Sequence, residues 1–211
     1  MPLAPVSLQG SLVSLEPLTH SRLPELTAIG LHPELWRLQP RAILSAADMR
    51  DYVEQALADQ ARGVSLPFFI LRRADNTVLG STRLMDIALE HRRLEIGATW
   101  LTPIAQRTGA NVEAKLLLLS HAFDTMAVQK VVFKTETLNT QSRTAILALG
   151  AVEEGTFRRH LMAENGRMRD MVYFSILDTE WPAVRTHLRA RLAQYALPTV
   201  AAGLAQARHD A

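Results

Sequence analysis

The stretch from Leu94 to Thr137 constrains this chain most. An apolar, β-prone run, Leu94 to Leu101, leads through a short polar loop directly into a helical pattern with apolar residues at Val112, Leu116, Leu119, Phe123 and Met126. A second β-prone run, Lys130 to Thr137, follows with Val131-Val132-Phe133 at its centre. Strand, helix, strand in that order is a crossover, which predicts two parallel or nearly parallel strands joined with the right-handed sense. The loop between strand and helix holds Gln106, Arg107, Thr108, Gly109, Ala110 and Asn111. Such a loop turns several main-chain N–H groups toward one point. The first-turn donors there have no partner within the helix, and the helix dipole is positive, so an anion is favoured. The expected ligand carries phosphate.

The remaining pattern predicts antiparallel strands and helices around this unit. Residues 10–18 read as a first strand, with Leu12, Val13, Leu15 and Leu18 as its apolar positions. Thr19 or Ser21 can cap a short helix through Leu26 and Ile29. Gly30, Pro33 and Pro40 break residues 30–44 into loop or broken helix. Ser45 to Arg62 is a helix opened by a capping box of Ser45 and Asp48. Phe68 to Arg72 and Val78 to Met85 pair across the turn at Ala74-Asp75-Asn76-Thr77. Ser142 to Leu149 is a short helix stopped by Gly150. Val152 to His160 and Met168 to Ile176 form a hairpin turning at Glu164-Asn165-Gly166, and Trp181 to Tyr195 is a last helix with Pro182 in its first turn. Residues 1–195 therefore read as one α/β domain, and residues 196–211 as an Ala-rich tail expected to be loosely ordered.

Composition excludes several function classes. A net charge of +2, with no Lys/Arg block interleaved with aromatics, gives no case for nucleic acid. Arg185, Arg189 and Arg191 read as a solvated helix face, and Arg158-Arg159-His160 as a solvated strand end. No apolar run approaches the roughly 18 residues of a membrane span, and the start lacks the pattern of a signal peptide, so a cytoplasmic location with no membrane partner is expected. With no cysteine and seven scattered histidines, thiolate chemistry is excluded and no metal is expected. His121 on the central helix reads as structural. There is no Gly-x-Ser-x-Gly elbow, and no Gly-x-Gly-x-x-Gly with a following acid for a Rossmann enzyme.

Four pieces in order resemble the GNAT superfamily of acyl-CoA N-acyltransferases, nearest the branch that includes ribosomal-protein N-terminal acetyltransferases. Leu15-Glu16-Pro17-Leu18 looks like the family's first strand. Glu95 to Leu101 with Pro103 looks like its fourth. Gln106-Arg107-Thr108-Gly109-Ala110-Asn111, running into Glu113-Ala114, looks like its pyrophosphate loop and central helix. Asn139, Ser142 and Gly150 look like the segment after strand five. The resemblance spans about Gly10 to Leu192. It implies a GNAT fold: a central, mixed, mostly antiparallel twisted sheet of about seven strands flanked by helices, with strands four and five parallel and splayed. It also implies acetyl-CoA as co-substrate and direct transfer of the acetyl group to a primary amine, either a protein N-terminus or a small molecule. The protein would act as a monomer or homodimer.

On that resemblance the main chain from Arg107 to Asn111, with Gln106, would hold the pyrophosphate. The backbone at Trp100 and Leu101 would pair with the pantetheine arm, and Asn139 would hydrogen-bond it. A main-chain N–H near Gly97 to Thr99 would steady the thioester oxygen. Glu95, a carboxylate on an apolar strand, would be the base that deprotonates the amine; the alternative is a salt bridge with Arg83 or Arg93. Ser142 would donate a proton or a hydrogen bond to the leaving thiolate or else serve in capping. Trp100 would in either case supply a core side chain. The acceptor groove would be built from His32 to Trp36, the loop Asp86 to His91 and the closing hairpin. Two departures stand out. Asn111 replaces the small residue usual in the loop, and Ile146 replaces the tyrosine many members use as proton donor, a role Tyr173 could take. They give standing to an alternative, a non-catalytic acyl-CoA-binding or sensor protein.

Overall fold

The computed structural model describes residues 4–196. Its eight strands form one sheet: β1 (Leu8–Gln9), β2 (Val13–Pro17), β3 (Leu66–Arg72), β4 (Val78–Ala88), β5 (Arg93–Leu101), β6 (Lys130–Glu136), β7 (Val152–Met162) and β8 (Met168–Leu177). Their order across the sheet is β1-β2-β3-β4-β5-β6-β8-β7, and every neighbouring pair is antiparallel except β5 and β6. The expected seven strands become eight because residues 8–17 fold back on themselves as a small hairpin, Leu8 opposite Leu15. The helices are α1 (Leu23–Gly30), α2 (Pro33–Trp36), α3 (Ala46–Ala61), α4 (Ala110–Ser120), α5 (Thr140–Leu147) and α6 (Trp181–Ala196).

Both faces of the sheet are covered. The buried run of β3 shows this: Leu66, Phe68 and Ile70 enter one core, while Phe69 and Leu71 enter the other. The first core lies under α4, α5 and α6 and includes Leu118, Ile146, Trp181 and Leu188. The second lies under α1, α2 and α3 and includes Leu26, Trp36, Met49, Val53 and Trp100.

Local chemistry explains most element ends. Ser45 and Asp48 form the complete reciprocal capping box at α3. Thr19 and Ser21 do not cap α1; their hydroxyls bond each other at 2.7 Å, and a 3₁₀ turn, His20–Arg22, precedes the helix. Helix α4 ends in a widened π turn, His121–Thr125. Of the expected stripe, Val112, Leu119 and Phe123 are buried but Leu116 is only half-buried; Ala114, Leu118 and, in the π turn, Ala122 are as deep as Leu119, so the inward stripe is wider than expected and rotated toward them. Arg185 and Arg191 are not free on a solvated face: Arg185 pairs with Asp124 and stacks on Trp181, and Arg191 donates to the Ala148 carbonyl. The expected Ala-rich tail lies outside the described residues, apart from Ala196 at the end of α6.

Candidate functional site: a parted strand pair beside an open helix start

Strands β5 and β6 pair only at Arg93–Lys130, Leu94–Val131 and Glu95–Val132. Beyond Glu95 they separate, and among the described residues the edge of β5 from Ile96 to Leu101 has no strand partner on that side. A register shift between β4 and β5 lies at the same point, where Ala98 takes the left-handed conformation, φ 46°. Such a bulge bends the strand and breaks the regular ladder.

The loop after β5 enters α4 through a left-handed residue, Arg107 (φ 62°), and a second, Gly109 (φ 82°). Residues alternating in this way turn successive N–H groups inward as an anion nest. From Arg107 to Val112 no main-chain N–H has an acceptor among the described residues, and no side chain caps α4. The first bond of the helix is Glu113 N–H to Gly109 O, 2.9 Å. Gly109 is needed for its φ and its neighbours: a Cβ there would lie 2.9 Å from both Leu12 and Tyr195. The residues expected to hold a diphosphate are therefore together, with their donors free.

Gln106 is placed differently. Its side-chain amide donates to the Leu101 carbonyl (3.1 Å), and its amide oxygen accepts from Gln141 of α5 (3.2 Å). It links the loop to both β5 and the helix that follows β6. Asn139 is the N-cap of α5, its Oδ1 accepting the Ser142 N–H at 3.0 Å. Capping thus belongs to Asn139. Ser142 is the third helical residue, and its hydroxyl has no partner among the described residues. Trp100 turns its indole into the second core, 5.4 Å from Trp36, with Nε1 unbonded. Ile146 is 8% exposed in the first core.

Glu95 is buried, and its partner is neither Arg83 nor Arg93. Lys134 Nζ of β6 lies 2.8 Å from its Oε2 and 3.3 Å from Asp86. Burial pushes the Glu95 carboxyl up to about 7 against the pull of Lys134, with Asp86 adding to the rise. Burial opposes the charge on Lys134, but Glu95 and Asp86 outweigh it and hold that amine above its usual value. Cross-strand register puts Met85, Glu95, Lys134 and Tyr173 on one face. The Tyr173 hydroxyl meets His160 at 3.0 Å. Arg83, opposite Gly97, stacks on the Tyr52 ring at 4.3 Å. The segment after α2 closes this side: Arg169 donates to the Leu38 carbonyl (3.0 Å) and to buried Glu136 (2.9 Å), which also holds Arg167.

Two charged residues of α4 escaped sequence reasoning. Glu113 is buried and accepts the N–H groups of Ser11 (2.7 Å), Leu12 (2.6 Å) and Val13 (2.6 Å), tying the first hairpin to the start of α4. Lys115 is buried under β4 and β5, and burial lowers its amine to about 7. Its i, i+3 and i, i+4 spacing from buried Val112, Leu118 and Leu119 was the available signal. His121 is half-buried, which lowers its pKa, consistent with a structural place.

Among the described residues no group of three or more potential ligands could hold a metal, and no helix is long and apolar enough to cross a membrane. Comparison with known proteins places this geometry. The Bacillus subtilis (strain 168) protein named "Putative ribosomal N-acetyltransferase YdaF" is 30% identical over 107 residues, which span 51% of this chain and 57% of that protein. A GCN5-related N-acetyltransferase from Brucella melitensis superposes with TM-score 0.86 at 27% identity, over 94% of this chain and 90% of the other. Mycobacterium smegmatis RimJ in complex with CoA-disulfide shares the fold, with TM-score 0.76 at 22% identity over 90% of this chain and 95% of that one. The acetyltransferase (GNAT) domain family matches residues 13–152. This chain belongs to the GNAT acetyltransferase family.

Proposed function

We propose that this protein is an N-acetyltransferase that moves an acetyl group from acetyl-CoA to a primary amine in a ternary complex. The observation that carries the reading is the run of unpartnered main-chain donors from Arg107 to Val112, set beside the gap between β5 and β6. Open donors at a helix start suit a diphosphate, and a free strand edge suits the amides of a pantetheine arm. The residues present therefore fit the coenzyme: Arg107 to Asn111 by main chain for the phosphates, Trp100 and Leu101 by main chain for the arm, and Asn139 and Gln106 at the flanks. Acetyl-CoA bound there supplies the activated acetyl thioester.

The chain's own residues do the rest. Glu95 takes the proton from the incoming ammonium, directly or through water, since a carboxyl titrating near neutrality is suited to that exchange. Lys134 holds that carboxylate in place. Main-chain N–H groups of the Gly97 to Thr99 bulge stabilise the oxygen that gains charge. The free hydroxyl of Ser142 donates a hydrogen bond to the departing thiolate, which takes up the proton released by the acylated nitrogen; Tyr173, on the Glu95 face, is the alternative hydrogen-bond donor. The acceptor lies between α2, the Asp86 to His91 segment and the β7–β8 hairpin, and is a peptide N-terminus or a small amine.

One observation favours a second reading, a coenzyme-binding protein without turnover. Ile146 stands where the family resemblance implies a tyrosine acid, and it is buried in the core. Calorimetry with acetyl-CoA, followed by thiol release against pooled small amines and N-terminal peptides, separates the two. Binding with amine-dependent release supports acetyl transfer. Binding with no release on any amine supports the second reading, and absence of binding removes both.

A further inference from the structure

Lys115 is the least expected polar group in the interior. Its ammonium lies between α4 and the sheet with no carboxylate within 4.0 Å among the described residues. Its partners are two hydroxyls: Thr99 Oγ1 at 2.6 Å and Thr82 Oγ1 at 3.5 Å. Those hydroxyls are 2.7 Å apart, and Thr99 Oγ1 also donates to the Gly97 carbonyl at 3.3 Å. A methionine would fill the same space without the desolvation that burying an amine costs. Stability alone therefore does not call for a lysine here.

The hydroxyl chain spans the register shift between β4 and β5, where Ala98 holds φ 46°. A residue with a side chain in that conformation is disfavoured and persists only when its surroundings hold it. Lys115, on α4, bonds the side chain of Thr99, the residue that follows Ala98. The same helix carries the free donors at its start, and five residues of rise, about 7.5 Å, separate Ala110 from Lys115 along the axis. One rigid element thus sets the spacing between the anion nest and the bulge. Glu95 sits on the opposite face of β5.

We propose that Lys115 is a positioning residue for acetyl transfer: through Thr99 it fixes the Gly97–Thr99 bulge at a set distance from the nest, so that the thioester lies where the deprotonated amine can attack. This rests on the acetyl-transfer reading above. A misplacement of the reacting carbon lowers kcat while the phosphates still bind.

The test uses the full chain with acetyl-CoA and whichever amine the wild type accepts. Lys115→Met is expected to lower kcat about tenfold or more, leave KM for acetyl-CoA within about twofold, and keep or raise the melting temperature. Thr99→Val is expected to reproduce the kcat loss and Thr99→Ser to retain kcat. The double variant Lys115→Met/Thr99→Val is expected to be no slower than either single one, because both break one chain. Unchanged kcat in Lys115→Met overturns the proposal, as do multiplicative losses in the double variant or a kcat loss that only follows a lower melting temperature. Should Lys115→Met fail to fold, equal kcat for Thr99→Val and Thr99→Ser overturns it. A wild type that binds acetyl-CoA and acetylates nothing overturns the acetyl-transfer reading itself, and this proposal with it.

Discussion

The two sides of β5 are built on different principles. Toward α4, the nest consists of main-chain donors, Arg107 to Val112, that have no acceptor among the described residues. Toward the hairpin, nearly every charge is already answered by a side chain: Glu95 by Lys134, Lys134 also by Asp86, and Glu136 by Arg167 and Arg169. On the acetyl-transfer reading proposed above, the first side would receive an anion of fixed chemistry, for which backbone geometry suffices. The second would hold a titrating carboxylate in a defined state while different strands supply its neighbours. Disruption should therefore act on binding at the nest and on turnover, pH dependence and stability on the other side.

The largest effect is expected at Glu95. Glu95→Gln keeps the shape and removes the proposed base, so turnover should fall by about 10²- to 10⁴-fold while acetyl-CoA affinity in calorimetry stays the same. Full turnover would move the proton-accepting role elsewhere and leave Glu95 as a structural ion pair. Next comes Glu136, 1% exposed beneath two arginines. Glu136→Gln leaves Arg169 buried without its counter-charge and should cost about 3 kcal/mol in thermal or urea unfolding. The hydrogen bond from Arg167, then that from Arg169, lowers the native pKa of Glu136 against the effect of burial. The stabilisation it gives is present above the ordinary glutamate value and is lost as pH falls through the lower native one. The gap in stability between wild type and variant should therefore close in acid; a gap independent of pH would deny the ion pair.

At the nest, Asn111→Glu brings a carboxylate to the first helical turn, where phosphate would bind. The expected loss is about 1–3 kcal/mol, or roughly 5- to 150-fold in acetyl-CoA affinity, with an unchanged melting temperature. Asn111 is preferred to Gly109 for this test because Gly109 packs on Leu12 and Tyr195, so its replacement would disturb the fold as well. Undiminished affinity would take the loop out of the site.

The same contrast decides what the sequence could reveal. The strand, loop and helix of residues 94–126 are local, and their periodicity and turn residues are enough to place the nest. The capping box at Ser45 and Asp48 is likewise three residues wide and reads directly. The partner of Glu95 is not local. Arg83 and Arg93 are the near candidates by chain and strand spacing, but the β5–β6 register brings Lys134 instead, and register across a crossover is set by packing of the whole helix layer. Lys115 was missed for a related reason: an apolar stripe centred on Leu116 leaves residue 115 at its margin, whereas the actual rotation of α4 puts it inside. Ser142 and Asn139 show the limit at short range. Both suit a helix start, and only the observed boundary at Thr140 assigns the cap to Asn139.

The smallest expected effect tests the coupling of Glu95 to Lys134. Burial raises the Glu95 carboxyl, and the adjacent ammonium holds that rise in check. Lys134→Met removes the opposing charge and keeps the length, so the Glu95 pKa should rise further. A base acts only when ionised, so the acid limb of the kcat/KM profile should move to higher pH, with activity lost near neutrality and largely recovered in mild alkali. A purely structural lysine would instead lower activity by the same factor at every pH. A shift toward lower pH would mean that Lys134 serves the acceptor amine rather than the carboxylate, and would turn the charged side of β5 from a prepared base into a substrate-binding surface.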